Sequence, residues 1–303
     1  MSSSTQPSRQ IAVSGARGLL GSALCESLRA DGHRVVPLVR PGSTADGIAW
    51  DPLAGTLDPE SLVGFDAVVH LAGESIAERW TEAKKAAILD SRVHGTRTVA
   101  EAVAAAGVPV LVGASAVGFY GDRGDEVLTE ASTKGDGFLA EVCWRWEAAT
   151  AAAREAGCRV VSTRFGVVLS KRGGALAKMW TPFRLGAGGP LGDGRQWMAW
   201  IHLDDAVGAI RHAIDHGTLD GPVNATSPNP ARNREFTRAL GRAMRRPAVI
   251  PAPAFGLRLA FGEMADETLL ASQRAMPERL LESGYRFRFA DLDAALTHEV
   301  AAD

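Results

Sequence analysis

Gly15, Gly18 and Gly21 stand three residues apart in the run Gly-Ala-Arg-Gly-Leu-Leu-Gly, directly after the apolar stretch Ile-Ala-Val-Ser. Glycines at this spacing allow a tight turn, close approach of the backbone to a pyrophosphate, and close packing of a helix on a strand. A helix that starts at Leu19 and Leu20 aims its free N–H groups and positive dipole end at such an anion. The run therefore predicts a dinucleotide site. The next apolar strand ends at Val39 and is followed by Arg40, and Arg17 lies inside the glycine loop. NAD sites place Asp or Glu about 20 residues on, to bond the ribose 2′-hydroxyl. Here a guanidinium stands instead, suited to a 2′-phosphate. We expect NADP(H), with Arg40 as a solvated loop charge the alternative.

The elements that must position these groups follow the same pattern along the chain. Ile11 to Gly15, His33 to Val39, Phe65 to Gly73, Val108 to Ser115 and Cys158 to Ser170 read as buried strands. Leu19 to Asp31, residues 81–106 and Phe138 to Ala156 read as helices between them. Such alternation predicts an α/β fold with a doubly wound parallel sheet of Rossmann type. Residues 10–170 would form the NADP-binding domain, and 171–303 a smaller α+β substrate-side and C-terminal helical domain. Residues 200–228 are expected to pack back on the first sheet.

Composition excludes several functions. Across 303 residues, 33 basic side chains face 35 acidic ones, for a net charge of −2, which argues against a nucleic-acid partner. Apolar residues make up 46%, enough for a full core, and the 33 glycines are not periodic. Cys25, Cys143 and Cys158 form no CxxC pair, so neither a disulfide framework nor a cysteine-based zinc site is expected. The N-terminal MSSSTQPSRQ lacks the apolar core of a secretory signal, and no apolar run is long enough to span a bilayer. The expectation is a cytoplasmic protein with no membrane partner.

Several motifs then carry a family resemblance. GARGLLG, DAVVHLAGE, SRVHGT, SAVGFYG, RFGVVLS and WIHLDD resemble the extended short-chain dehydrogenase/reductases. WDP, RWTEAKK, WRWE, GGPLGDGRQ and PERLLESGYRF are similar to one atypical subfamily, the epimerase/dehydratase-like proteins with an extra C-terminal domain. The resemblance runs from Ile11 to about Leu296. It implies a Rossmann-type NADP-binding domain with a substrate cleft over the strand ends. Leu71, Ala72 and Gly73 would line the cofactor; Glu74, Arg79 and Lys84, which follow that turn at the cofactor's edge, either do polar work in the site or cap and solvate a loop–helix junction. Arg92 takes the place of Asn in the NxxGT motif, and Ser115 the strand end beside the nicotinamide. His70 falls at an expected core position.

The catalytic pair of that family is missing. Its proton donor is Tyr in YxxxK, but the two tyrosines here, Tyr120 and Tyr285, are followed four residues on by Gly124 and Phe289. With Glu147 aligned to the Glu that follows the dyad, Leu139 takes the Tyr place and Cys143 the Lys place. Three readings stay open. Tyr120 beside Ser115 donates the proton, the substrate needs no strong acid, or the protein binds NADPH and catalyses nothing, as a sensor or interaction module. Cys143 as a thiol acid competes with Cys143 as a small buried hydrophobe. His212 and His216 lie four apart but lack a third ligand, so no metal is expected. His202 reads as structural and Asp204 and Asp205 as helix N-caps. Trp180, Trp197 and Trp200, with Arg195 and Gln196, suit either a substrate lid or core. The reading is an NADPH-binding oxidoreductase or epimerase-like enzyme on an unidentified small molecule, as a possible homodimer.

Overall fold

Valine- and isoleucine-rich runs bounded by glycines are the segments that become central strands in the computed structural model, which describes residues 7–301. The N-terminal part of MSSSTQPSRQ and the last two residues of the expected second domain lie outside that range. The first half comprises β1 (Gln10–Ser14), α1 (Leu19–Ala30), β2 (Arg34–Val39), β3 (Ile48–Asp51), β4 (Thr56–Leu57), β5 (Ala67–His70), α2 (Glu82–Ala106) and β6 (Val110–Ala116). There follow β7 (Val127–Leu128), α3 (Phe138–Ala148), α4 (Ala151–Glu155), β8 (Arg159–Phe165), β9 (Val167–Leu169) and α5 (Gly174–Arg184). Then come β10 (Trp197–Met198), β11 (Trp200–His202), α6 (Leu203–Asp215), β12 (Gly221–Ala225), β13 (Ala231–Arg232) and α7 (Asn233–Met244). The chain closes with α8 (Ala254–Phe261), β14 (Arg274–Ala275), α9 (Glu278–Glu282) and α10 (Leu292–Ala301).

The main sheet has the order β12-β8-β6-β5-β1-β2-β3-β4. Its pairings are parallel except for β3 with β4. Strand order reverses at β1, which pairs Ala12 with Val36 on one side and Val68 on the other. That switch point leaves a crevice at the carboxyl ends of the strands, where α/β sheets bind ligands. One face of the sheet is covered by α1 and α6, through Leu24, Leu28, Ile210 and Ile214. Val99, Val103 and Ala153, from α2 and α4, pack on the other face. The doubly wound α/β fold expected from the alternation is what forms.

Two long elements divide. The stretch Phe138 to Ala156 is not one helix, because Thr150 turns its hydroxyl back to the Glu147 carbonyl at 2.7 Å and separates α3 from α4. The stretch Cys158 to Ser170 splits at Gly166. Its Cβ position lies 2.6 Å from the Ala199 carbonyl oxygen, so only glycine lets β9 leave the sheet and pair with β11. The C-terminal segment is woven in rather than appended: β14 pairs with β7, and Glu267 accepts both the Phe138 and Leu139 N–H groups at 2.7 Å, capping α3.

Candidate active site at the strand switch point

The glycine loop has the geometry of a phosphate cradle. Gly15 adopts φ +68°, and its Cβ position lies 2.9 Å from the Leu71 carbonyl carbon. A Cβ on Gly21 would stand 2.2 Å from the Gly15 oxygen, so α1 reaches β1 only through glycine. Gly18 donates to the Gly15 oxygen at 2.9 Å and begins α1 without a side-chain cap. The first-turn N–H groups are thus left for an anion. Leu19 and Leu20 are half-buried behind the turn, and Leu19 packs 3.5 Å from the Cβ position of Gly173. Arg17 and Arg40 are both exposed, Arg40 directly after the half-buried Val39. Neither pairs with a carboxylate among the described residues. These features fit a dinucleotide: a cradle that side chains would fill, and two free guanidinium groups at its rim.

Ser14 and His70 lock the floor of this cleft. Ser14 Oγ accepts the N–H groups of Leu71 and Ala72 at 3.0 and 3.2 Å and lies 2.7 Å from His70 Nδ1. With both amides accepted, the hydroxyl proton goes to Nδ1, which leaves the ring proton on Nε2. Burial pushes His70 down to about 4, so it stays neutral. His70 is core, as its position suggested. Ser14, which fixes the Leu-Ala-Gly turn, was missed because an isolated serine at a strand end carries no motif.

Arg92 lies behind that turn. Its guanidinium is 3.4 Å from the Cβ position of Gly73 and 4.9 Å from the Trp146 ring. It donates to the carbonyls of Glu74 and Ile88 at 2.9 and 3.2 Å, with no carboxylate paired to it. Burial disfavours its charged form. Glu74 accepts from Lys84 at 2.6 Å, and that bond, with Arg40 and Arg92 nearby, holds its carboxyl below the usual range. Lys84 also pairs with Glu78. Arg79 turns to the Leu259 carbonyl at 2.8 Å, away from the strand ends.

The place of the missing dyad is apolar. Leu139 Cβ and Cys143 Sγ lie 3.3 and 3.8 Å from the Cβ position of Gly118. Burial pushes the Cys143 thiol up to about 12, so it neither ionises nor serves as an acid near neutrality. Ser115 donates to Glu147 Oε1 at 2.6 Å, and Glu147 is gripped by Arg164 at 2.7 and 2.8 Å. Tyr120, expected beside the reacting centre, lies in the interior. It is 0% exposed; its hydroxyl donates to Asn224 Oδ1 at 2.8 Å and accepts from Arg164 at 2.9 Å. Burial raises its pKa further. Ser115 and Tyr120 thus meet through Glu147 and Arg164, with the Tyr120 hydroxyl spent on Asn224 and Arg164. Glu147, Arg164 and Asn224 lie up to about a hundred residues from Tyr120, too far apart in sequence to be grouped in advance.

Beside Leu139 a cavity of about 280 Å³ opens, lined also by Gly118, Asp136, Arg258 and Glu267. A second depression of about 460 Å³ lies between α2 and α3–α4, on the outer helical layer and away from the strand ends. The remaining expected residues make contacts of their own. His202 Nδ1, not Asp204 or Asp205, caps α6, and buried Asp205 accepts the Arg288 and Phe289 N–H groups at 2.7 and 2.8 Å. Trp200 is core, Trp197 lies 4.5 Å from both Arg232 and Arg274, and Gln196 spends its amide on the Leu191 and Leu269 carbonyls. Trp180 is half-buried, and Arg195 follows an Asp193 turn. His212 bonds Ser283 at 2.8 Å, and no cluster of His, Cys, Asp and Glu among the described residues could hold a metal.

This arrangement is that of an extended short-chain dehydrogenase/reductase fold. The chain belongs to the NAD dependent epimerase/dehydratase family, whose model matches residues 11–225, and residues 252–299 match a domain of unknown function, DUF1731. An epimerase family protein of Mycobacterium bovis is 46% identical over 288 residues, covering 94% of this chain and 96% of the relative. The crystal structure of the human epimerase family protein SDR39U1 with NADPH superposes with a TM-score of 0.89 at 36% identity, covering 97% of this chain and all of that one. A nucleoside-diphosphate sugar epimerase from Corynebacterium glutamicum gives a TM-score of 0.81 at 41% identity, covering 98% of this chain and 59% of that one. No helix among the described residues is long and apolar enough to cross a membrane.

Proposed function

We propose that this protein is an NADP(H)-dependent oxidoreductase acting on a small carbonyl or otherwise unsaturated substrate held in the cavity beside Leu139. The observation that carries the reading is the glycine cradle at the strand switch point, rimmed by the unpaired Arg17 and Arg40. The NADPH found with the human relative of similar sequence supports the same choice of cofactor. Gly15, Gly18, Leu19, Leu20 and Gly21 would hold the pyrophosphate, and Val39 with Arg40 and Arg17 the phosphorylated ribose. Leu71, Ala72, Gly73 and Glu74 would line the dinucleotide's edge. When bound, the nicotinamide supplies or accepts a hydride.

The remaining chemistry falls to the chain's own groups. Ser115 commits its proton to Glu147, which Arg164 grips with two bonds, so the hydroxyl is an acceptor that orients rather than an acid. Arg92 is a half-buried cation that, among the described residues, meets two carbonyls and a ring face but no carboxylate, a state that a negative charge would relieve. We assign it to the oxygen that gains charge as hydride arrives, with the proton then taken from water. Single-turnover oxidation of NADPH against a carbonyl panel tests this. Arg92→Gln should slow the step by about a hundredfold, with Arg92→Lys restoring part of it. Because no phenol or thiol titrates at this centre, the rate should be flat from roughly pH 6 to 9. A rate that instead follows a group ionising in that interval would contradict the assignment.

A second reading, an NADPH-bound sensor, draws on the apolar Leu139–Cys143 pair in the dyad's place. Nicotinamide absorbance that never falls for any substrate would favour it.

A further inference from the structure

Residues 233–262 hold six arginines and one acidic residue, Glu235, although the whole chain carries a net charge of −2. Arg242 and Arg258 pair with Asp293 and Asp266. Arg234, Arg238, Arg245 and Arg246, with the neighbouring Arg184, are exposed and pair with no carboxylate among the described residues. The same region carries Leu185, Val249, Ile250, Phe255 and Leu259, each more than half exposed, Leu259 at 77%. Leu185, Val249 and Ile250 share one ribbon, and Phe255 and Leu259 lie on the helix that follows it. Residues 184–192 run alongside 246–254, joined by Arg246 to the Arg184 carbonyl at 3.0 Å, Ile250 to Gly188 at 3.2 Å and Ala252 to Pro190 at 2.9 Å. The second strand of that ribbon leads into α8, where Phe255 and Leu259 stand one turn apart on the same face.

Scattered exposed hydrophobes are ordinary, but a contiguous apolar patch ringed by unpaired cations marks an interaction surface. A second copy docked through this face would bring one basic patch against another of the same sign. Nucleic acid would satisfy the arginines but leave Leu185, Val249, Ile250 and Leu259 nothing to stack on. A bilayer with anionic headgroups answers both halves, taking aliphatic side chains into the headgroup–acyl boundary and guanidinium groups at the phosphates. We propose that this face docks peripherally on an anionic lipid surface. That revises the sequence-based expectation of no membrane partner, which rested on the lack of a spanning segment.

Flotation of the full chain with vesicles tests it. The protein should rise with vesicles of phosphatidylglycerol and phosphatidylcholine but not with phosphatidylcholine alone, and added salt should weaken the binding. The pair Arg245→Glu with Arg246→Glu should weaken partition by about tenfold or more, and so should the separate triple Val249→Ser, Ile250→Ser, Phe255→Ser. Cooperative melting and unchanged circular dichroism would show that both variants are folded. No flotation with anionic vesicles, equal binding to both vesicle types, or undiminished binding by the variants would overturn the proposal. So would a dimer in solution that the triple variant dissolves, or tight binding to single-stranded DNA in place of vesicles.

Discussion

At the scale of single residues, two buried polar side chains make opposite kinds of prediction. His70 accepts from Ser14 and is held to about 4 by burial, against an ordinary value of 6.5. The unfolded chain therefore binds a proton between these values that the folded chain refuses, so stability rises with pH across that interval. It is fully present above about pH 7 and lost as pH falls from 6.5 toward 4, by up to about 3 kcal/mol. His70→Asn, which keeps an acceptor for Ser14, should flatten this part of the melting temperature against pH. An unchanged acid slope would show that other groups cause it. Tyr120→Phe should leave turnover intact while destabilising the fold by roughly 2 kcal/mol, because Arg164 and Asn224 lose a buried partner. A tenfold fall in turnover without loss of stability would return Tyr120 to the reacting centre.

At the scale of elements, the junction of β1 with α1 carries the cofactor claim. Gly21→Ala puts a methyl 2.2 Å from the Gly15 oxygen and must push α1 off the strand, so NADPH affinity should fall by tenfold or more. Gly18→Ala meets the same oxygen at 3.3 Å, which a few tenths of an ångström relieve, and should cost much less. Equal losses in a titration of nicotinamide fluorescence would show that close packing is not what these glycines provide. This junction was legible in advance because its signal is local, a few residues of strand, loop and helix. So was the empty dyad, since two tyrosines without a lysine four residues on can be counted. The Ser115–Glu147–Arg164–Tyr120–Asn224 network was not legible. Its members sit on β6, α3, β8, the turn after β6, and β12, and only the parallel register of the sheet brings them together. The break at Gly166 was hidden for a related reason: the crowding atom, the Ala199 carbonyl, lies thirty-three residues away.

Across the whole molecule, the C-terminal region is part of the cleft's construction. Glu267 caps the helix that carries Leu139 and Cys143, β14 pairs with β7, and Arg79 and Lys85, beside the Leu-Ala-Gly turn, reach the Leu259 carbonyl and Glu263. The sheet supplies the cradle, and Arg17 and Arg40 stand exposed at its rim. Among the described residues neither Arg17 nor Arg40 pairs with a carboxylate, and the residue directly after β2 is Arg40 rather than an acid. The central claim is therefore tested most directly by paired titrations of the unmodified chain with NADPH and NADH, repeated for Arg40→Asp. We predict that NADPH binds at least about tenfold more tightly and that Arg40→Asp erases or reverses the preference. Equal affinities for the two cofactors in the unmodified protein would contradict the account.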